Sequence, residues 1–158
     1  MIEAMLDLRR CLPPIFNISA KNFMIHPVSG DARIVLSDDM FNPNSDTLNL
    51  DRDALLYKSP EELLGEGKSL TTPFWVLGCL IFEAQYGINP FKTHLKPQVT
   101  ESFIKFYPVT FLENQLNEPS ENWKLLVLQL LIKSPLQRLG SDSFEKEILE
   151  HPYFTETE

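Results

Sequence analysis

Adjacent carboxylates at Asp38 and Asp39 are side chains whose type and spacing suit the binding of an ion. Hard divalent cations favour carboxylate oxygens, so the pair predicts a weak cation site at best. The three histidines share no spacing that would direct two imidazoles to one ion, and we therefore expect no resident metal and no cofactor. The sequence shows no recognisable Ser-His-Asp or Cys-His arrangement of the kind that nucleophilic enzymes use.

Composition and charge place the chain among ordinary globular proteins. Its 158 residues are 43% hydrophobic and 23% charged, which suits a single domain, spanning 1–158, with one core of moderate size. The net charge of −8 argues against nucleic acid or an anionic membrane as the main partner, because both attract basic surfaces.

Apolar runs and cysteines predict the compartment. No run of about 18 apolar residues occurs, so we expect no membrane insertion. The apolar stretch that a signal peptide requires is interrupted by charges at Glu3, Asp7, Arg9 and Arg10. Cys79 lies in an apolar run and is expected to be a buried free thiol. Because two cysteines are too few for a disulfide framework, we expect a reducing, cytoplasmic location.

Hydrophobic spacing and turn residues predict a small hairpin followed by helices. Residues 1–12 carry one apolar stripe that Pro13 and Pro14 end, and the missing N-cap suggests the tail of a longer helix. Residues 23–25 and 33–36 are expected to form the arms of a hairpin around a turn at 26–31. The expected fold class is mainly α with a small β hairpin.

Capping residues and glycines predict where the helices begin and end. Ser59 is expected to cap a short helix, with Glu62 closing a capping box. Thr72 is expected to cap the longest helix, which is apolar nearly all round and therefore buried, and Gly87 ends it. Further helices are predicted over 99–105, over 121–132 with Ser120 as its cap, and over 143–150.

Three segments, in this order and at this spacing, resemble the C-terminal lobe of a eukaryotic protein kinase. Residues 57–61, Tyr-Lys-Ser-Pro-Glu, resemble the end of a kinase activation segment. Residues 75–83 resemble the central kinase helix. Residues 130–154, with Arg-Leu-Gly and His-Pro-Tyr-Phe pieces, are similar to the last helices of the AGC group. The resemblance covers nearly the whole chain and implies a kinase C-lobe-like helical domain.

The resemblance also implies structural roles. Glu61 matches the Glu of the Ala-Pro-Glu triplet, and Arg138 matches the Arg with which it pairs. Breaking a buried pair of this kind from one side costs about 3–5 kcal/mol. Trp75 and Gly78 match the central helix. Pro73 stands where kinases carry an Asp that hydrogen-bonds the catalytic loop, so we expect the loop to lack that tether.

The catalytic loop of kinases, His-Arg-Asp-x-Lys-x-x-Asn, resembles residues 15–22. Asn17 stands at the general-base Asp, and an amide takes up no proton at neutral pH, a loss worth roughly 10²–10⁴-fold in rate. Ser19 stands at the Lys, and Lys21 is the nearby residue that could replace it. Asn22 matches the Asn that binds magnesium, although a role in bonding the loop backbone is the alternative.

Residues 34–40 resemble the kinase segment that ends in Asp-Phe-Gly. Asp38 falls on the magnesium position, whereas Asp39 and Met40 replace the Phe and the Gly. The hairpin turn is longer than usual, so a shifted alignment that places Leu36 at that position stays open, as does a plain surface loop. The resemblance thus implies a vestigial metal-binding position at Asp38, as at the Asn of the catalytic loop.

No segment matches the Gly-rich loop, the strand lysine or the hinge of a kinase N-lobe. Since the general base is also replaced, we expect a pseudokinase that is not an enzyme and acts as a protein-protein interaction or structural subunit of a larger assembly. The expected partner is a protein that covers the surface facing the N-lobe in kinases. Two alternatives remain: half of a split or truncated Ser/Thr protein kinase, and a decoy or regulator that binds an intact kinase.

Overall fold

The structure is a computed structural model that describes residues 15–18, 20–42, 44, 54–92, 97–112 and 118–155. A short 3-10 helix and a two-stranded antiparallel sheet come first in this part of the chain, and helices make up most of the remainder. The predicted fold class, mainly α with a small hairpin, is confirmed. The helix predicted over 1–12 and the candidate Ser19 lie outside the described residues.

The hairpin pairs β1 (Phe23–Ile25) with β2 (Ala32–Ile34). Its turn is closed by two backbone bonds, from His26 N–H to the Asp31 carbonyl at 2.8 Å and from Gly30 N–H to the His26 carbonyl at 2.9 Å. The second arm begins one residue earlier than predicted and ends before Val35. One further bond in the same register lies beyond the strands, from Val35 N–H to the carbonyl of Asn22, at 2.8 Å, in the 3-10 turn that precedes β1.

The short helix α1 (Pro60–Leu63) begins as its capping residues predict. The Glu62 carboxylate accepts a hydrogen bond of 2.9 Å from Ser59 N–H, which satisfies a donor that the first turn leaves without an intrahelical acceptor. Ser59 itself is fully buried. A carboxylate in the first turn also interacts favourably with the positive end of the helix.

The long helix α2 (Thr72–Tyr86) begins one residue earlier than predicted, with Thr71 rather than Thr72 at the N-cap position. The Thr72 hydroxyl is engaged elsewhere, because it accepts from Ser69 N–H at 2.8 Å and donates to Glu61 at 2.9 Å. The C-terminus is as predicted. Gly87 adopts a φ of 71°, a left-handed conformation that glycine reaches without strain.

The remaining helices are α3 (Pro97–Phe106), α4 (Glu121–Leu130), α5 (Phe144–Leu149) and α6 (Pro152–Thr155). Ser120 caps α4 as predicted, its hydroxyl accepting from Trp123 N–H at 3.3 Å. α4 ends two residues before the predicted limit. The Ile132 carbonyl is turned toward Arg138, which donates to it at 3.0 Å, so the chain leaves the helix there.

The core lies around α2, whose first three turns are buried. α2 packs on α4 at Gly78, where a Cβ atom would lie 2.8 Å from Leu131 Cδ2 and 3.0 Å from Leu130 Cβ. The absence of a side chain at Gly78 therefore sets the distance between the two helices. Cys79 is a buried free thiol, as predicted. Across the described ranges, no helix is both long and apolar enough to cross a membrane.

Candidate functional site

Backbone hydrogen bonds bring the segment 15–22 and the segment 34–42 together. Phe16 N–H and Asn17 N–H both donate to the Met40 carbonyl, at 2.8 and 3.2 Å. Val35 N–H donates to the Asn22 carbonyl at the other end of the contact. The two stretches that carry the candidates Asn17, Asn22 and Asp38 are thus neighbours in space, although their sequence positions differ by up to 21 residues.

Asn17, at the position of the kinase base, is buried with 6% of its surface exposed. Its amide nitrogen donates to the Asn42 carbonyl at 2.6 Å. Its amide oxygen accepts a hydrogen bond from the Lys68 ammonium. Both ends of the amide are therefore hydrogen-bonded, as a buried polar side chain requires. The contact with Lys68 also fixes which end of the amide is oxygen.

Lys68 is the residue of this site that the sequence did not reveal. It comes from the segment between α1 and α2, and only 11% of its side chain is exposed. Its ammonium lies 4.0 Å from Glu62 Oε1, so a negative charge stands near the buried cation. Lys21, which the sequence suggested as a cation for this loop, is exposed. No short-range pattern links position 68 to position 17.

Asn22 is held within its loop by its amide nitrogen, which donates to the Val35 carbonyl at 3.2 Å, Ser37 Oγ at 3.4 Å and Met40 Sδ at 3.3 Å. Asp38 opens a 3-10 helix, Asp38–Phe41, and is exposed. Asp39 lies in the same turn. Within the described ranges no three His, Cys, Asp or Glu side chains are placed to share an ion.

Glu61 and Arg138 are brought together in a two-pronged ion pair. Both carboxylate oxygens accept from the guanidinium at 2.8 Å, and both side chains are almost fully buried. Arg138 also donates to the carbonyls of Thr71, Ile132 and Lys133. Burial by itself raises the pKa of Glu61, but the hydrogen bonds and charge of Arg138 outweigh it, and the pKa lies below its ordinary value.

Trp75 lies beside this ion pair. Its ring stacks on Phe91 with centroids 5.2 Å apart, and the Arg138 guanidinium lies 5.3 Å from the Trp75 centroid. Lys133 faces the same two rings at 4.9 and 4.6 Å, and burial lowers the pKa of its ammonium to about 8. Pro73 is buried at the second position of α2. These residues connect the start of α2 with the end of α4.

Comparison with known proteins points to protein kinases. The chain is 35% identical over 104 residues to "Protein kinase PINOID 2" of Oryza sativa subsp. japonica, and 30% identical over 138 residues to "Flippase kinase 1" of Saccharomyces cerevisiae. It is 36% identical over 98 residues to "Serine/threonine-protein kinase KIPK2" of Arabidopsis thaliana. These alignments cover 62%, 87% and 62% of the chain, but only 21%, 15% and 10% of the relatives. No protein-family model matches the chain.

The fold and these relatives together define the class: a protein-kinase C-lobe-like domain. The chain is related to Ser/Thr protein kinases over 62–87% of its length and spans about a fifth or less of the three relatives named above. The expectation that it is not an enzyme is wrong, because the proteins to which it is similar carry the names of enzymes.

Proposed function

We propose that this chain works as the C-terminal lobe of a Ser/Thr protein kinase and carries out phosphoryl transfer together with an N-lobe. This is the alternative in which the chain is one part of a split or longer kinase. The observation that supports the proposal is the backbone hydrogen bonding between residues 15–22 and 34–42, the two segments that contain Asn17, Asn22 and Asp38. The named kinases among the relatives support it.

The proposal requires this lobe mainly to position the reacting groups. Phosphoryl transfer passes through a loose transition state that needs orientation and charge stabilisation more than proton removal. In the proposal, Asn17 stands in place of the usual base, and its buried amide, hydrogen-bonded at both ends, holds the loop 15–18 and not the substrate hydroxyl. The carboxylate of Asp38 and the amide oxygen of Asn22 are hard donors, and such donors suit Mg²⁺. The ion, when bound with the nucleotide, would neutralise charge on the phosphates.

The hairpin offers the surface for the N-lobe. Three large apolar side chains around its turn are mostly exposed: Met24 at 61%, Ile25 at 59% and Val28 at 89%. Val35 and Leu36, which follow β2, are about half exposed. Exposed apolar patches usually mark sites of protein contact. We propose that a protein segment with an N-lobe fold covers it.

The test measures transfer of phosphate from Mg·ATP to Ser- and Thr-containing peptides by the full-length protein, with any N-lobe partner that copurifies. We expect transfer, and we expect Asp38→Asn to lower the rate by roughly 10²-fold or more. Asn17→Asp restores a carboxylate base and is expected to raise the rate by roughly 10²-fold. Asp142→Asn, at an exposed aspartate in a different loop, is the matched control.

Two results would contradict the proposal. One is the absence of transfer by the full-length protein in the presence of an N-lobe. The other is transfer that Asp38→Asn and Asp142→Asn leave equally unchanged, since the activity would then come from a different site or a contaminating kinase.

A second candidate function is that of a structural subunit, and the exposed hairpin favours it as well. Purification from native cells followed by mass spectrometry separates the two. A stoichiometric partner without a Gly-rich loop and strand lysine supports the subunit, whereas a partner, or a further segment of the same protein, that carries both supports the kinase. The apolar surface is consistent with either occupant, so the identity of the partner decides.

A further inference from the structure

The loop that carries Asn17 is held by a residue that the resemblance does not predict. In the fold that the chain resembles, a side chain at position 73 would hold this loop, but Pro73 has no polar side chain. A buried loop with polar groups still requires hydrogen-bond partners. In this structure, one of them is the ammonium of Lys68, which reaches the loop from the segment between α1 and α2.

The amide of Asn17 joins two segments at once. Its oxygen accepts from Lys68, and its nitrogen donates to the Asn42 carbonyl at 2.6 Å, on the far side of the 3-10 helix that Asp38 opens. Rotation of the amide would break both bonds. Hydrogen bonds with a charged donor are about twice as strong as neutral ones, so the contact with Lys68 is expected to be the stronger of the two.

Glu62 links this contact to the start of α1. One carboxylate oxygen accepts from Ser59 N–H at 2.9 Å, and the other lies 4.0 Å from the Lys68 ammonium. The hydrogen bond from Ser59 thereby holds the Glu62 carboxylate in position, next to an ammonium whose side chain is only 11% exposed. Continuous contacts therefore run from the cap of α1 through Lys68 to the loop of Asn17.

We propose that Lys68 is a positioning residue, which holds the side chain of Asn17 and through it the loop 15–18, in place of the tether that Pro73 cannot supply. The catalytic consequence of this role rests on the proposed kinase function, but the contact itself does not. An ammonium held against position 17 also means that Asn17→Asp would place a carboxylate in an ion pair, so that its pKa would lie below the ordinary range.

The first test needs no substitution. In the isotope-labelled full-length protein, a nuclear Overhauser effect is expected between the ε protons of Lys68 and the side-chain amide protons of Asn17. The amide protons of Asn17 should also exchange slowly, because the Asn42 carbonyl accepts one of them. If the Overhauser effect is absent while other contacts of the loop are seen, Lys68 does not hold Asn17 and the proposal fails.

The second test compares Lys68→Met with Lys68→Arg, and Lys146→Met serves as the control at an exposed lysine on α5. Loss of a charged donor is expected to speed hydrogen exchange at the backbone amides of Phe16 and Asn17 by roughly ten- to hundredfold. Arg keeps the charge and the donors, so it should restore most of the protection. Equal exchange in Lys68→Met and Lys146→Met would overturn the proposal.

Phosphate transfer by the same variants separates the two proposals. If Lys68 positions Asn17, Lys68→Met should lower kcat and leave the KM for ATP nearly unchanged, with partial rescue by Lys68→Arg. In the Asn17→Asp background, Lys68→Met should also move the acidic limb of the pH–rate profile upward. Loop protection that depends on Lys68 in a protein without any transfer activity would support the tether and reject the kinase function.

Discussion

Arg138 shows how one buried side chain connects three parts of the domain. Its guanidinium binds the Glu61 carboxylate at the start of α1, the Thr71 carbonyl before α2 and two carbonyls after α4. All five of its N–H donors have acceptors within the protein, as a fully buried guanidinium requires. The geometry is that of a structural pair, and it holds the ends of these helices in place.

We expect Arg138→Met to lower the free energy of unfolding by about 3–5 kcal/mol, because Glu61 would be left as an unpaired buried charge. The measurement is equilibrium unfolding in urea. The double variant with Glu61→Gln should lose less stability than the sum of the two single variants, because each single substitution already removes the same ion pair. Strict additivity would contradict the pairing. Lys105→Met, which removes the partly exposed partner of Glu101 at 3.9 Å on α3, should cost only about 0.5 kcal/mol.

At the scale of elements, the packing of α2 on α4 depends on a single glycine. Gly78 lies in the buried middle of α2, where glycine is usually unfavourable by roughly 1 kcal/mol relative to alanine. Its presence follows from the side chains of Leu130 and Leu131, which approach the helix backbone too closely to leave room for a methyl group. The close approach lets α2 and α4 contribute together to both hydrophobic clusters of the core.

Gly78→Val is expected to lower the free energy of unfolding by about 3 kcal/mol, because the added side chain would overlap Leu130 and Leu131. Thermal and urea unfolding both measure the effect. Ala84→Val adds the same branched side chain to an exposed position of α2 and should cost about 0.5 kcal/mol. Similar losses in the two variants would mean that helix propensity, and not the contact between α2 and α4, limits position 78.

At the scale of the whole molecule, acid affects two buried groups in separate pH ranges. His151 is 3% exposed, and burial lowers its pKa below the ordinary value of 6.5. Glu61 has a pKa below its ordinary value of 4.5, where the bonds to Arg138 outweigh burial. In both cases the unfolded chain binds the proton more readily, so the stability present at neutral pH is lost as the pH falls.

We expect the free energy of unfolding to decline in two steps, first below about pH 6.5 through His151 and then below about pH 4.5 through Glu61. Urea unfolding measured at intervals between about pH 8 and pH 2 would follow both. His151→Phe should remove the upper step and leave the lower one. A variant that keeps both steps unchanged would show that a different group titrates in the upper range.

Local signals in the sequence determined much of the secondary structure. The box of Ser59 and Glu62, the cap at Ser120 and the stop at Gly87 each act over four residues or fewer, and the structure has all of them. The hairpin followed from short arms around a turn with Gly30. The side chains of Glu61 and Arg138 do lie in contact, as the resemblance implies, although no local rule links residues 77 positions apart.

Only the tertiary structure decided what surrounds Asn17. Lys68 is 51 positions away, and its contact depends on where the segment between α1 and α2 passes once the core has formed. The sequence likewise did not predict Thr71 at the N-cap position of α2, because the Thr72 hydroxyl donates to Glu61, 11 positions away. Helix and turn signals arise from interactions along a few neighbouring residues, whereas the partner of a buried polar group is chosen by the packing of distant elements.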